Sequence, residues 1–248
     1  MEPTTLLALA LLATLAGTLI GAIAIGGVLL VPLMVIALGF DVQVAIAAAM
    51  FSYLFSGLLA ARYLGHQPQL PKRNVAWLIA GAAPGALAGA VLAPLLTSAL
   101  LSALVAAITV FAGINALRVN PSTQAQNEPW SPPSFALVGV VAGCASALTG
   151  TGGPLILVPL LLLGGMQTGI AILLGQLVQL PIGLMATLGN LYNGQLDLEL
   201  GLLLAAFLLV GVALGNRLQS KLPQAKLRAV LGVGLICIGG SMLLQLAF

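Results

Sequence analysis

The chain has 248 residues, of which 60% are hydrophobic and only 5% carry a charged side chain. A soluble globular domain carries roughly a quarter charged residues, so this composition excludes an ordinary water-exposed surface. It predicts an all-α polytopic membrane protein whose partner over most of its surface is the lipid bilayer. The net charge of +3 does not indicate nucleic-acid binding, because the basic residues lie at breaks between apolar segments.

Stretches without charge divide the chain into candidate membrane segments. In chain order they cover residues 3–40, 42–61, 74–117, 129–196, 200–216 and 229–248. A helix needs about 20 residues to cross the hydrocarbon core. The stretch 42–61 therefore predicts one span, 74–117 predicts two, and the last two stretches predict one each.

Two segments do not fit whole spans. Residues 4–38 contain Gly26-Gly27, and residues 134–164 contain a Thr-Gly-Thr-Gly-Gly-Pro run that ends at Pro154. Glycine and proline interrupt helices, and proline is favoured at the first helical position. Each segment therefore predicts a longer helix, a break, and a short helix of about 11 residues, roughly half the hydrocarbon thickness. The short helices are predicted at 28–38 and 154–164.

An internal repeat relates the two halves. A shift of 126 residues places seven glycines of the first half on glycines of the second. This indicates a first transmembrane repeat at 1–118 and a second at 134–248. The residues between them, 119–133, are rich in Pro, Ser, Gln and Asn and predict an exposed cytoplasmic linker. The seven first-half glycines are Gly17, Gly26, Gly27, Gly39, Gly57, Gly85 and Gly89.

The basic residues distinguish two topologies. If each broken segment crosses the membrane once, the repeats are parallel and the eight Lys and Arg divide four to four between the faces. If each broken segment enters and returns, the repeats are inverted and all eight fall on one face. The positive-inside rule favours the second topology, with both termini outside. The predicted fold therefore has two inverted repeats, each with four spanning helices and a broken half-helix, or eight to ten membrane segments.

The amino ends of both short helices are predicted to point toward the membrane midplane. A helix N-terminus presents unpaired N–H groups and about half a positive charge, and glycine lets a ligand approach the backbone closely. This pattern favours a small anion held without any basic side chain. The alternative is that the glycines serve only helix packing. The candidate residues at the breaks are Gly26, Gly27, Val28, Thr149, Thr151, Gly152 and Gly153.

Two glutamines are the main polar side chains elsewhere within the segments. Gln176 and Gln179 lie one helical turn apart, and the 126-residue shift matches them with Met50 and Tyr53. The glutamines are candidate substrate-binding residues, and hydrogen bonding between helices is the alternative.

Catalysis and metal binding are not expected. Cys144 and Cys237 lie in apolar runs, and the single histidine, His66, lies at a segment edge without a nucleophile or carboxylate near it in sequence. No charged residue falls near the middle of a segment, so a side-chain proton relay is not expected. We therefore expect no enzyme activity, no catalytic residue, no metal and no cofactor.

The glycine-rich runs resemble a known duplicated motif. Residues 26–33 and 150–160 are similar to the motif of the sulfite exporter TauE/SafE family, and the resemblance extends to 84–89 and 211–215. It implies a bacterial or archaeal inner-membrane transporter without a cofactor. The implied substrates are sulfite, organosulfonates or related sulfur-containing anions. Val28 stands where the family often has a third glycine.

The function expected from these features is export of a small anion through a site at the two half-helix N-termini. A transporter or channel for a neutral or zwitterionic solute is the alternative. The sequence is compatible with a homo-oligomer and does not indicate one.

Overall fold

The structure, a computed structural model, describes residues 2–23, 26–64, 72–118, 131–218 and 224–247. These ranges are helical and contain no strand. Most of the predicted linker and His66 lie outside them. A 3₁₀ turn at Gly26–Leu29 precedes α2, and another at Ala93–Leu95 follows α4. The helices are α1 Pro3–Ile23, α2 Leu30–Leu38, α3 Val42–Leu64, α4 Lys72–Leu92, α5 Ser98–Arg118, α6 Pro132–Thr149, α7 Pro154–Leu163, α8 Thr168–Tyr192, α9 Leu198–Leu218 and α10 Gln224–Ala247.

Eight helices of the described ranges are long and apolar enough to cross a membrane. They are all the helices except α2 and α7, which are short and apolar. The prediction of an all-α polytopic membrane protein is therefore confirmed. The order long, short, long, long, long occurs once in α1–α5 and again in α6–α10.

The first break differs in detail from its prediction. We expected Gly26 and Gly27 to form the break and the helix to begin at Val28. Instead, both glycines belong to the 3₁₀ turn that leads into α2. Tight 3₁₀ bonding is common at helix N-termini, and glycine fits the crowded turn. The second short helix begins at Pro154 as predicted, since proline lacks the N–H that a first helical residue leaves unused.

Glycine contacts between helices repeat with the 126-residue shift. A Cβ atom at Gly17 of α1 would lie 2.1 Å from the Leu208 carbonyl oxygen of α9. The matching Cβ at Gly143 of α6 would lie 2.3 Å from the Ala82 carbonyl oxygen of α4. Small residues at such positions let helix backbones touch within lipid. The duplicated glycines therefore form equivalent packing contacts, α1 with α9 and α6 with α4.

The matching helices α5 and α10 pack against each other in opposite directions. Gly239 of α10 lies against Ala106 of α5, whereas Gly232 lies against Gly113 and Leu117. Residue numbers therefore rise along one helix as they fall along the other. Inverted repeats require this direction; the inverted membrane topology itself stays a prediction.

We expect Gly17→Ala and Gly143→Ala to lower the melting temperature of the purified protein. Each new methyl group would meet a backbone carbonyl that cannot move aside. Overpacking of this kind costs about 1–3 kcal/mol, which corresponds to roughly 3–10 °C. Gly234→Ala is the matched control, because nothing lies within 4 Å of its Cβ position in α10. Circular dichroism in detergent measures all three, and equal shifts would contradict the assigned contacts.

Candidate functional site

A small pocket lies between the two helix breaks and one face of α8. About 290 Å³ of atom-free space lies in and around it when its open mouth is included, and the enclosed part has room for about one water molecule. Four of the nine predicted site residues line it, namely Gly27, Thr151, Gln176 and Gln179. The other lining residues are Ile20, Pro154 and Leu155.

Tyr53 of α3 lies between the two breaks. Its side chain is fully buried, and its hydroxyl donates a hydrogen bond to the Gly27 carbonyl oxygen. A Cβ atom at Gly27 would lie 3.3 Å from the ring, and one at Gly152 would lie 2.9 Å from Cδ2. One aromatic ring therefore contacts both breaks. No role in the site was predicted for Tyr53, although the 126-residue shift matches it with Gln179.

Gln176 and Gln179 bring carboxamide groups to the pocket from α8. Gln179 is buried, and its Nε2 atom lies 3.1 Å from the Cβ position of Gly152. Gln176 is half-buried and lies one turn earlier on the same helix. Both side chains border the open space. Two neutral donor groups thus face the second break.

The second break has a backbone conformation that requires glycine. Gly152 and Gly153 have φ angles of 78° and 110°, which L residues rarely adopt. The amides of Ile156 and Leu157 both donate to the Gly153 carbonyl. Among the described residues, no acceptor takes the amide hydrogens of Gly152 and Gly153. Unpaired donors therefore remain at the amino end of α7.

The two threonines of the second break have different surroundings. The Thr149 hydroxyl donates to the Ala145 carbonyl at 2.7 Å, so its only hydrogen is used within α6. The Thr151 hydroxyl lies 3.3 Å from the Thr149 hydroxyl and borders the pocket. Because the Thr149 hydrogen is used, Thr151 is the donor in this pair, and its hydroxyl can donate to a ligand only by turning away from Thr149.

Two predicted residues of the first break face the packed interior. A Cβ atom at Gly26 would lie 2.3 Å from the Ala16 carbonyl oxygen, so Gly26 packs against α1. Val28 is buried in an apolar cluster that includes Leu19 and Leu235. The packing interpretation therefore describes Gly26 and Val28 better than a ligand contact does.

The polar face of α8 continues beyond the pocket. Thr187 and Asn190 follow Gln179 at helical spacing and are buried. In the described part of the chain, their Oγ1 and Nδ2 atoms have no hydrogen-bond partner. Between them and the pocket, Gly183 packs against the backbone of Leu54. Contact between α3 and α8 therefore separates these polar groups from the pocket.

The pocket lining carries no formal charge. Its polar groups are carboxamides, a hydroxyl and backbone, and its remaining surface is aliphatic. Among the described residues, no group of three or more His, Cys, Asp or Glu is placed to hold a metal ion. The arrangement can donate hydrogen bonds to a small solute on one side and contact it with carbon on the other.

Comparison with known proteins identifies a family. A family model described as sulfite exporter TauE/SafE matches residues 6–242, which include both breaks and every pocket residue. The chain has no match among curated proteins and none among solved structures.

With sulfite as the test ligand, we expect Gly152→Ala to weaken binding at the pocket by about tenfold or more. The new methyl group would press on the Tyr53 ring and the Gln179 carboxamide, and such crowding costs about 1–3 kcal/mol. Gly194→Ala is the matched control, since its φ of 68° gives similar backbone strain with nothing within 4 Å. Isothermal titration calorimetry measures both affinities. Equal affinity losses in the two variants would indicate strain alone and contradict the site.

Proposed function

The chain belongs to the sulfite exporter TauE/SafE family, and we propose that it exports sulfite, an organosulfonate or a related anion through the pocket described above. The family implies a membrane transporter of sulfur anions, and eight apolar helices make the chain a multi-pass membrane protein. The observation that carries the finer proposal is the pocket at the amino end of α7. Its described lining offers carboxamides and a hydroxyl without a charged group, and the Gly152 and Gly153 amides that precede α7 have no described acceptor.

Hydrogen-bond donors can hold an oxyanion at this site. The amino end of α7 supplies the amides of Gly152 and Gly153 and the positive end of the helix dipole. Gln176, Gln179 and the Thr151 hydroxyl surround the same space. Hydrogen bonds and dipoles strengthen in a low-dielectric interior. A neutral set of donors binds an anion more weakly than a lysine or arginine would, which favours release.

The inverted topology would place this site near the membrane midplane. The antiparallel contact of α5 and α10 supports that topology, and so does the location of all eight basic residues on one face of it. We propose a bacterial or archaeal inner membrane, with the basic face toward the cytoplasm. An interior-negative potential of 100 mV would then favour exit of an anion by about 2.3 kcal/mol per charge.

A route out of the pocket follows the polar face of α8. On the far side of the Gly183 contact, the buried Thr187 Oγ1 and Asn190 Nδ2 atoms have no hydrogen-bond partner among the described residues. Gly57 of α3 packs against Leu180 at the same crossing, so both repeats contribute a glycine to it. We propose that α3 and α8 separate at this crossing during transport, which would join the pocket to those polar atoms.

The second candidate function is transport of a neutral or zwitterionic solute, since no basic side chain lines the pocket. Carboxamides and hydroxyls bind neutral polar groups as well as anions. Pairs of ligands with equal shape and different charge distinguish the two functions.

We expect methanesulfonate and sulfite to raise the melting temperature of the purified protein, and the isosteric neutral dimethyl sulfone to leave it unchanged. A ligand stabilises in proportion to the logarithm of its concentration over its Kd. Gln179→Leu should weaken methanesulfonate binding by roughly 10- to 100-fold, because a hydrogen bond to a charged group contributes about 1.5–3 kcal/mol.

Gln167→Leu is the control for that variant, because Gln167 is exposed and precedes α8. Stabilisation by dimethyl sulfone equal to that by methanesulfonate would replace the anion proposal with the neutral-solute candidate.

In liposomes, methanesulfonate flux should follow the membrane potential and ignore a pH gradient. The pocket lining carries no titratable side chain to accept a proton, so transport moves the charge of the substrate alone. Methanesulfonate suits the assay because it remains a monoanion around neutral pH. Valinomycin with potassium gradients sets the voltage, and protein-free liposomes give the background. Flux driven by a pH gradient at zero potential would refute this uncoupled mechanism.

A further inference from the structure

We propose that Tyr53 makes the pocket selective for anions by masking the Gly27 carbonyl oxygen. This inference rests on the proposed function and names the residue that sets its charge preference. Gly27 lines the pocket, and the Tyr53 hydroxyl donates to its carbonyl oxygen. Tyr53 is a positioning residue here, because its only hydrogen is given to the backbone and not to the substrate.

The physical reason lies in the partial charge of a carbonyl oxygen. A backbone carbonyl that faces a membrane cavity presents its negative end, and rings of such oxygens coordinate cations in channels. In a pocket of low dielectric, an unpaired carbonyl would repel an anion and attract a solute that carries N–H groups. The donated O–H occupies a lone pair of the Gly27 carbonyl oxygen, so that lone pair is no longer offered to the ligand. The lining then presents mainly donors to its ligand.

The repeat indicates that this is a specialised position. The 126-residue shift matches Tyr53 with Gln179 and Met50 with Gln176. The two glutamines of the second half border the pocket, whereas Tyr53 and Met50 of the first half are fully buried. The second half therefore offers its glutamine donors to the ligand, whereas the first half uses the Tyr53 hydroxyl on its own backbone.

The Tyr53 ring and its hydroxyl have separable effects. The ring fills the space between Gly27 and Gly152, with contacts near 3 Å from both Cβ positions. Phenylalanine keeps that ring and removes only the hydroxyl. Tyr53→Phe thus removes the side-chain hydrogen bond to the Gly27 carbonyl and keeps the ring between both breaks.

The experiment compares the affinities of methanesulfonate and methanesulfonamide, which have similar shape. The sulfonamide is neutral and replaces one oxygen with an NH₂ donor. In the unmodified protein, methanesulfonate should bind more tightly. In Tyr53→Phe, the ratio of the two affinities should fall about tenfold, because the lone pair released on the Gly27 carbonyl opposes the anion and accepts from the NH₂ group. Because both ligands are measured on the same preparation, the ratio of their affinities does not depend on the fraction of protein that is active.

Ser52→Ala is the matched control. Ser52 is buried in α3 next to Tyr53, and its hydroxyl bonds the Ala49 carbonyl within the same helix. It should leave the ratio unchanged. Equal loss of both affinities in Tyr53→Phe would give the hydroxyl a purely structural role and overturn the inference. Failure of the unmodified protein to prefer the sulfonate would instead refute the proposed anion function, and the inference with it.

Discussion

Backbone amides inside a membrane must bond to protein or face a polar ligand, and the two helix breaks of this chain follow from that constraint. At the first break, the backbone forms a 3₁₀ turn, and the Tyr53 hydroxyl donates a hydrogen bond to the Gly27 carbonyl oxygen. At the second, the amides of Gly152 and Gly153 remain free of described acceptors, and their neighbours Thr151 and Pro154 line a pocket. The proposed function uses this difference, because it assigns the free amides of the second break to a bound ligand.

The two halves have diverged at the level of single side chains while their packing has stayed equivalent. Gly17 and Gly143 make matching backbone contacts, so the scaffold is duplicated. Tyr53 and Gln179 hold matching positions in the repeat but have different surroundings. Tyr53 is fully buried, whereas Gln179 lines the open space. Among the described residues that line the pocket, the side-chain donors come from the second half.

Charge-free lengths and helix breakers were enough to predict most of the architecture. The predicted short helix at 154–164 agrees with α7, because Pro154 fixes its start. The first break was predicted less well, since glycines alone do not distinguish a gap from a 3₁₀ turn. Gly26 and Gly27 are neighbours in sequence, yet Gly26 packs against α1 and Gly27 contacts Tyr53. The path of the chain in three dimensions decides which partner each glycine meets. Tyr53 was missed because an aromatic residue in an apolar run is typical of a core position.

A crystal soaked in selenite, the heavier analogue of sulfite, tests the central claim most directly. Anomalous scattering locates selenium without reference to the protein density. We predict one peak in the pocket, within hydrogen-bonding reach of the Gly152 and Gly153 amides and the Gln179 carboxamide. A peak elsewhere in the helix bundle, with those amides bonded to protein, would contradict the account.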